Sequence, residues 1–176
     1  MSYITTFTGK HFDPTAPDMS QVDIRDIAHA LSQLCRANGH FPHFYSVGQH
    51  CIACAEEAAA RGYSRRVQLG CLLHDASEAY LADVTRPVKK ELPKYLQIEE
   101  PLQAAVWAKW LSPTLTEEEE AQVFAVDDAM LYYEFLSLMG EAIPGLPLDL
   151  VTKPDLSCVP CSAVEEKYIA LFEKLK

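Results

Sequence analysis

The chain of 176 residues is acidic, with 25 Asp and Glu against 15 Lys and Arg and a formal net charge of −10 at pH 7. Stable binding to a nucleic-acid backbone is not expected, because such affinity comes from neutralising phosphates with Lys and Arg. No apolar run approaches the roughly 20 residues needed to span a bilayer, and the first residues lack the basic and apolar blocks of a secretion signal. We therefore expect a single cytoplasmic domain with no membrane partner.

The order of predicted elements indicates an all-α, single-domain helical bundle. Residues 1–19 are predicted to form a short irregular N-terminal arm with a small hairpin, and residues 20–139 are predicted to form the helical core with a metal site. Residues 140–176 predict an irregular segment followed by a C-terminal helix. Capping residues and apolar periodicity predict six main helices, with these limits: Asp23 to near Asn38-Gly39, Ser46 to Arg61, Ser64 to about Ala82, Ile98 to Leu111, Thr116 to about Met139, and Ser162 to Leu175.

The helix predicted from Ser64 organises the rest of the chain. Its apolar residues recur at helical spacing between Leu69 and Tyr80, which is typical of a buried helix, yet it also carries four ionisable groups. These are His74, Asp75, Glu78 and Asp83. Burying an unpaired charge costs several kcal/mol, so a compensating positive charge is expected. Imidazole with carboxylate is a common ligand set for a divalent cation.

A metal site needs further ligands from other helices. His50 is the best histidine candidate, because it opens a predicted helix just upstream. His29 fits a core or surface helix position better, whereas His40 and His43 occupy a turn where ligation and solvent exposure are both open. Two aspartates, Asp127 and Asp128, interrupt an apolar helix, and periodicity alone does not separate them.

Six cysteines without a secretion signal are expected to be free thiols. Two pairs have Cys-x-x-Cys spacing, Cys51 with Cys54 and Cys158 with Cys161. A four-thiolate zinc site is one interpretation. The alternative is small core residues for the first pair and a loop pair for the second, since Cys51 and Cys54 lie in an Ala-rich helical stretch.

The order His50, His74-Asp75 and Asp128 on successive helices resembles the HD-domain metal-dependent phosphohydrolases. The similarity is strongest to their compact branch, the bacterial 5′-deoxyribonucleotidases and phage dNTP phosphohydrolases. It extends over most of the chain, through the segments Asp23–Leu31, Cys35–His40, Phe44–His50 and Leu72–Tyr80 to Asp83 and Asp128. The resemblance implies a helical HD bundle with one divalent metal ion (Mn, Co, Zn, Mg or Fe), held by His50, His74, Asp75 and Asp128.

The choice of Asp128 follows from matching Asp128-Ala129-Met130 to an Asp-Ala-hydrophobic segment of that family. The resemblance also implies catalytic acid or base roles for Glu78 and Asp83. It implies phosphate binding by Arg36 and Lys89, with Arg86 and Lys90 as basic neighbours that could replace Lys89.

The expected activity is hydrolysis of a phosphoester bond in a (deoxy)ribonucleotide, so the expected partner is a small nucleotide. A 5′-nucleotidase acting on dNMP is favoured slightly by the short chain, and a dNTP triphosphohydrolase is the alternative. Two readings of another class stay open: a non-catalytic nucleotide-binding module and a zinc-stapled interaction protein. There are two interpretations of Trp107 and Trp110. Exposed, they would form the contact face of a homo-oligomer; otherwise, both pack in the core.

Overall fold

Helices dominate the computed structural model, which describes residues 3–145 and 149–176. The α-helices are α1 (Ile24–Gln33), α2 (Val47–Ala60), α3 (Arg65–Leu73), α4 (Arg86–Lys89), α5 (Pro93–Trp110), α6 (Glu117–Met139) and α7 (Cys161–Leu175). Two strands of two residues, β1 (Ile4–Thr5) and β2 (His11–Phe12), pair antiparallel in the N-terminal arm. The predicted all-α fold and the small hairpin are confirmed.

Side-chain caps fix the starts of four helices where the sequence predicts them. Asp23 accepts a hydrogen bond from the Arg25 amide at α1, and Ser64 accepts one from Val67 at α3. Ser46 and Thr116 form full capping boxes with the residues three positions on, at α2 and α6. These contacts satisfy amides that have no partner within the helix. Because each cap joins residues two or three positions apart, the helix starts can be predicted from short sequence patterns.

The two remaining predicted starts are wrong. α5 begins at Pro93 and not at Ile98, because proline suits the first helical turn, where no amide donor is needed. α7 begins at Cys161 after Pro160, so Ser162 lies inside the helix and makes no cap. The described residues between α6 and α7 form no helix or strand, as predicted, and residues 146–148 of that segment lie outside the described part.

α1 ends earlier than predicted, at Gln33 and not near Asn38-Gly39. The chain after it is extended and pairs with the residues that precede α2. The Arg36 amide donates to the Tyr45 carbonyl (2.9 Å) and the Val47 amide donates to the Leu34 carbonyl (3.0 Å). A separate turn over Arg36–Gly39 follows, in which Ala37 and Asn38 have left-handed backbone (φ 53° and 51°). This pairing places Arg36 beside the first turn of α2.

The predicted continuous helix from Ser64 to Ala82 is also wrong, since α3 ends at Leu73. Asp75 has a non-helical backbone (φ −102°, ψ 15°) and a 3-10 segment, Ala76–Tyr80, follows. Gln103 of α5 bonds both sides of the break. Its amide donates to the Leu73 carbonyl (2.8 Å) and accepts from the Ser77 amide (3.1 Å). A side chain distant in sequence therefore stabilises the interruption.

α2 lies at the centre of the bundle and is buried on nearly every side. A helix that is apolar around its whole circumference is typical of such a position. Its approach to α1 is close: a Cβ on Gly48 would lie 3.1 Å from the backbone of Leu31 and Ser32. α1 and α2 are thus fixed closely against each other, and the end of α3 packs into the same core.

The tryptophans of α5 are partly buried and pack against this core. The rings of Trp110 and Phe172 meet edge to face, with centroids 5.2 Å apart. Core packing is therefore the arrangement observed for both, and neither forms an exposed apolar stripe. Among the described residues, no helix combines the length and apolar character that crossing a membrane requires.

Glu57 of α2 holds the segment that precedes α7. It is fully buried, and its carboxylate accepts hydrogen bonds from the Val151 and Thr152 amides and from Arg61 Nε, all at 2.8 Å. Burial opposes ionisation, but these hydrogen bonds outweigh it and lower the pKa of Glu57 below its ordinary value. The ionised form is therefore the one that stabilises the fold.

We expect Glu57→Gln to lower the free energy of unfolding by about 1–3 kcal/mol at pH 7, because it leaves buried donors unpaired. The lowered pKa fixes the sign of the pH dependence. The contribution of Glu57 is present above the ordinary carboxyl pKa of about 4.3 and is lost as the pH falls through the lowered value. Urea unfolding at pH 7 and pH 3 measures it.

The adjacent Glu56 supplies the control. It is exposed and pairs with Lys167 at the surface, so Glu56→Gln should change stability by less than about 0.5 kcal/mol at both pH values. Equal losses in the two variants, or a Glu57→Gln deficit that grows in acid, would contradict this role.

Candidate metal centre

Three helices bring four polar side chains to one point beneath the surface. His50 lies in the first turn of α2, His74 and Asp75 follow α3 directly, and Asp127 lies within α6. His50 is fully buried and His74 is 9% exposed. The break after Leu73 matters here, because it lets both His74 and the following residue face the same space.

The donor atoms of this group are mutually close. His50 Nε2 lies 3.2 Å from His74 Nε2 and 3.0 Å from Asp127 Oδ1. His74 Nε2 lies 3.6 Å from the same Asp127 oxygen and 3.3 Å from Asp75 Oδ2, and His50 Nε2 lies 3.9 Å from Asp75 Oδ2. Donors about 2.1 Å from a shared ion, at tetrahedral or cis-octahedral angles, are about 3.0–3.4 Å apart. Three of the five distances lie in this range, and the other two, 3.6 Å and 3.9 Å, stay below the about 4.2 Å of donors on opposite sides of such an ion, so the spacing fits one metal ion.

Hydrogen bonds orient both imidazoles for ligation. His50 Nδ1 donates to Glu134 Oε1 and His74 Nδ1 donates to the Cys71 carbonyl, each at 2.7 Å. With the proton held at Nδ1, each neutral ring presents the Nε2 lone pair to the cluster. Metal-binding histidines are oriented by this type of second contact.

Asp127, and not Asp128, belongs to the cluster, which corrects the choice made from the family pattern. Asp127 Oδ1 faces the two histidines, whereas the Asp128 side chain is 37% exposed and is bound by Arg86. Arg86 forms a fork, with Nη2 on Asp127 Oδ2 and Nη1 on Asp128 Oδ1, both at 2.6 Å. Adjacent helical residues point about 100° apart, so only one of the pair can reach His50.

Arg36, predicted to bind phosphate, lies among the carboxylates of the centre. Its Nε donates to Glu134 Oε2 at 2.9 Å, and its terminal nitrogens lie 3.6 Å from Asp75 and 3.8 Å from Asp127. Burial opposes its charge, yet these carboxylates outweigh that effect and raise the pKa of Arg36. In this structure its side chain is thus occupied in orienting the acidic residues.

Glu134 is the principal residue of the centre that the sequence analysis missed. It is fully buried and bridges His50 and Arg36. Burial opposes its ionisation, but Arg36 and His50 lower the pKa of Glu134 below its ordinary value. A signal was available: Glu134 follows Asp127 by two helical turns and therefore lies on the same face of an apolar helix.

The charged side chains of the centre carry a net negative charge that a divalent cation would neutralise. Four carboxylates pair with two guanidinium groups, namely Asp75, Asp127, Asp128 and Glu134 with Arg36 and Arg86. With neutral imidazoles the set has two negative charges in excess. Although burial favours the neutral rings, nearby carboxylates raise the pKa of His50 and of His74. The cluster therefore favours positive charge at its centre.

The other predicted site residues lie on the wall of a cavity of about 1080 Å³ that opens from the centre. Glu78 is 5% exposed, and its Oε2 has no hydrogen-bond partner among the described residues. Burial, together with Asp75 and Asp83, raises the pKa of Glu78 well above its ordinary value. Burial also raises the pKa of Asp83. Lys89 Nζ lies 2.7 Å from Glu99 and 3.6 Å from Glu78.

The cavity combines charged and apolar walls. Besides Arg86 and the acidic residues, α5 and α6 contribute Trp107, Phe124, Leu131 and Phe135. Its volume of about 1080 Å³ is slightly above the range of small-molecule sites, about 300–1,000 Å³. The arrangement suits an organic ligand with one anionic end and an apolar or aromatic body.

The two Cys-x-x-Cys pairs do not form one zinc site. Cys51 and Cys54 are buried in α2, whereas Cys158 is exposed and Cys161 is half-buried. Within the described residues, Cys51 and Cys54 also have metal-ligand spacing with residues of the cluster: Cys54 with His50 and His74, and Cys51 with His74 and Asp75. The predicted free thiols agree with the structure. The first pair consists of core residues, but they lie beside the histidines.

Two other histidines considered as ligands lie elsewhere. His29 stacks on Phe7 (3.7 Å between ring centroids) and bonds Glu165 at 2.9 Å. His43 bonds the Leu156 carbonyl at 2.6 Å. Both have structural roles.

We expect Asp127→Asn to lower the affinity for Mn²⁺ by about 100-fold or more, because losing a ligand should cost at least as much as losing a supporting residue. Asp128→Asn should lower it less than about 10-fold, since Asp128 contacts only Arg86 among these groups. Calorimetric titration of chelator-stripped protein measures both. Equal losses would contradict the assignment.

Glu134→Gln should lower Mn²⁺ affinity by about 10–100-fold, because it removes the negative charge that orients His50 and Arg36. Glu118→Gln, in the exposed first turn of the same helix, is the matched control and should leave affinity unchanged. Unaltered binding in Glu134→Gln would rule out this supporting role.

No protein-family model matches the chain. It is 40% identical over 113 residues to the uncharacterized protein YfdR of Escherichia coli K12, a match that covers 64% of this chain and 61% of YfdR. It is 36% identical over 114 residues to an uncharacterized protein of Rhodobacter capsulatus, with 61% of this chain and 58% of that protein covered. The chain thus spans about three fifths of the length of these curated relatives, and neither name states a function.

Proposed function

We propose that the chain is a metal-dependent phosphohydrolase of the HD-domain type that cleaves a phosphoester bond of a (deoxy)ribonucleotide. One observation carries the proposal: the cluster of His50, His74, Asp75 and Asp127 opens into a cavity whose wall includes basic and aromatic side chains. Metal ligands beside phosphate-binding cations form the usual apparatus for hydrolysing phosphate esters.

These four residues would hold one divalent ion, drawn from Mn, Co, Zn, Mg or Fe. When bound, such an ion supplies Lewis acidity, which draws charge from phosphorus and lowers the pKa of water. The protein contributes fixed ligand orientation. Glu134 and the Cys71 carbonyl keep the Nε2 atoms of His50 and His74 available, and Arg36 orients the two aspartates.

Glu78 is the proposed proton carrier. Its Oε2 is buried without a hydrogen-bond partner among the described residues, and it lines the cavity. Burial, with Asp75 and Asp83, raises the pKa of Glu78, and a carboxylate with a raised pKa is a stronger base that can take a proton from attacking water and return it. Asp83, whose pKa is raised too, is proposed to protonate the departing oxygen.

Lys89 and Arg86 are the proposed phosphate-binding residues. Lys89 lines the cavity next to Glu78, and Arg86 is half exposed on the same wall. An ammonium group such as that of Lys89 binds phosphate as a point charge. Both terminal nitrogens of Arg86 are paired with Asp127 and Asp128 in this structure, so Arg86 would exchange one of these carboxylates for a phosphate oxygen. Arg36 is assigned a positioning role in place of the predicted phosphate contact.

The charge of the cavity favours a monophosphate substrate. Eight carboxylates line it against three cationic side chains, so it disfavours the larger negative charge of a triphosphate. Hydrolysis of a dNMP to a nucleoside and phosphate is therefore the favoured activity, and dNTP triphosphohydrolase activity is the alternative.

A non-catalytic nucleotide-binding module is the competing proposal from another class. It would need the metal ligands and the basic residues, but not a buried proton carrier. The burial of Glu78 is unfavourable without a full set of hydrogen-bond partners, and this supports the catalytic proposal over the binding module.

The deciding experiment is phosphate release from a panel of dNMPs, NMPs and dNTPs, with Mn²⁺, Co²⁺, Mg²⁺ or Zn²⁺ added to metal-stripped protein. We expect metal-dependent turnover of dNMPs that falls by about 100-fold or more in Glu78→Gln, since proton transfer contributes about 10²–10⁴-fold. Asp75→Ala should abolish it. Tripolyphosphate as the product would select the alternative.

Glu118→Gln provides the control and should leave turnover unchanged, because Glu118 is exposed in the first turn of α6 and does not line the cavity. Absence of any product with every metal, together with tight binding of one nucleotide, would overturn the hydrolase and support the binding module.

A further inference from the structure

Two buried thiols beside the metal centre have no part in the proposed hydrolysis. Cys51 and Cys54 lie three positions apart in α2, and neither is more than 1% exposed. Cys54 Sγ lies 3.6 Å from His50 Nε2, the atom directed at the cluster. The donor atoms of His50, Cys54 and His74 all lie within 4.8 Å of one another.

The spacing around Cys54 is that of a tetrahedral site with mixed ligands. Sulfur and imidazole nitrogen bind zinc-like ions at about 2.3 Å and 2.0–2.1 Å, which places them about 3.6 Å apart at a tetrahedral angle. Two imidazole nitrogens on such an ion are about 3.4 Å apart. The structure has 3.6 Å for Cys54 to His50 and 3.2 Å for His50 to His74.

We propose that this centre has a second, thiophilic mode of binding, in which Cys54 joins His50 and His74 as a ligand for a soft divalent ion such as Cd²⁺ or Zn²⁺. Asp127 Oδ1, 3.0 Å from His50 Nε2, is available as the fourth donor. Thiolate ligands select soft ions, whereas carboxylate ligands suit Mg²⁺ and Mn²⁺. His50, His74 and Asp127 would thus be shared by the two donor sets, with Cys54 in one and Asp75 in the other.

Binding in this mode is an exchange without oxidation. The Cys54 S–H bond breaks, a sulfur–metal bond forms, and the proton passes to solvent. Since both modes use His50 and His74, a soft ion and the ion of the proposed hydrolysis exclude each other. This exclusion rests on the proposed function, but thiophilic binding itself does not.

Cadmium is the probe, because cadmium–thiolate bonds absorb in the ultraviolet through charge transfer. CdCl₂ is titrated into the metal-stripped full chain carrying Cys158→Ser and Cys161→Ser, which removes the surface pair. We expect a charge-transfer band that saturates at one Cd²⁺ per chain. Cys54→Ser should abolish the band and lower Cd²⁺ affinity by more than the about 10-fold lost with a supporting residue.

Cys71→Ser is the matched control. Cys71 is an equally buried thiol near the histidines, but it belongs to neither group with metal-ligand spacing, so the band should persist. Cys54→Ala is prepared beside Cys54→Ser, and circular dichroism verifies that both fold. A band that survives loss of Cys54 overturns the proposal.

Cadmium-113 NMR of the unmutated thiol centre gives a test that needs no variant at that position. A chemical shift in the range for nitrogen and oxygen ligands alone overturns the proposal, whereas a shift to the range for one sulfur supports it. Neither measurement involves a nucleotide. A cadmium band without phosphate release would support thiophilic binding and overturn the hydrolase. Phosphate release without a cadmium band would support the hydrolase and overturn thiophilic binding.

Discussion

The structure depends on one constraint, the burial of opposite charges around His50 and His74. Arg36 and Glu134 lie almost entirely out of water, and their ion pair (2.9 Å) connects the turn after α1 to α6. Breaking a buried pair by removing one partner costs about 3–5 kcal/mol, because the other charge is left uncompensated. The elements that carry these groups must therefore keep their relative positions, and the same requirement fixes the geometry of the candidate metal centre.

The interruption after α3 follows from this requirement. A continuous helix would place His74 and Asp75 about 100° apart around one axis, and the two could not share one point. Ending the α-helix at Leu73 brings both to the cluster, and Gln103 compensates the backbone groups exposed by the break. The helical hydrogen bonds lost at the break cost little free energy compared with the electrostatic stabilisation gained by bringing these charges together.

The surroundings of the centre differ on its two sides. Towards the cavity lie carboxylates and cations, which suit a hard ion and an anionic ligand. Towards the core lies Cys54, a soft donor within reach of the same histidine nitrogen. Under the two proposed modes of binding, the donor set that competes better would select the metal ion. Side chains of α2 packed behind the histidines would then matter as well as those facing the cavity.

The sequence by itself determined the features that depend on near neighbours along the chain. The caps at Asp23, Ser46, Ser64 and Thr116 and the all-α class follow from local hydrogen bonding and apolar periodicity. The grouping of His50 with His74 and Asp75 also followed from the types of residue and their family-like order, because ionisable groups in apolar helices need partners.

Only the tertiary structure decided what depends on contacts between distant residues. Gln103 ends α3, the pairing of residues 34–36 with 45–47 shortens α1, and the rotation of α6 selects Asp127 over Asp128. The side chain of Arg36 is directed by Glu134, nearly 100 residues away in the sequence, which accepts a hydrogen bond from it. Apolar periodicity assigns residues to the buried face of a helix with an uncertainty of about one residue. Which of two adjacent residues is a ligand depends on the atoms that pack against them.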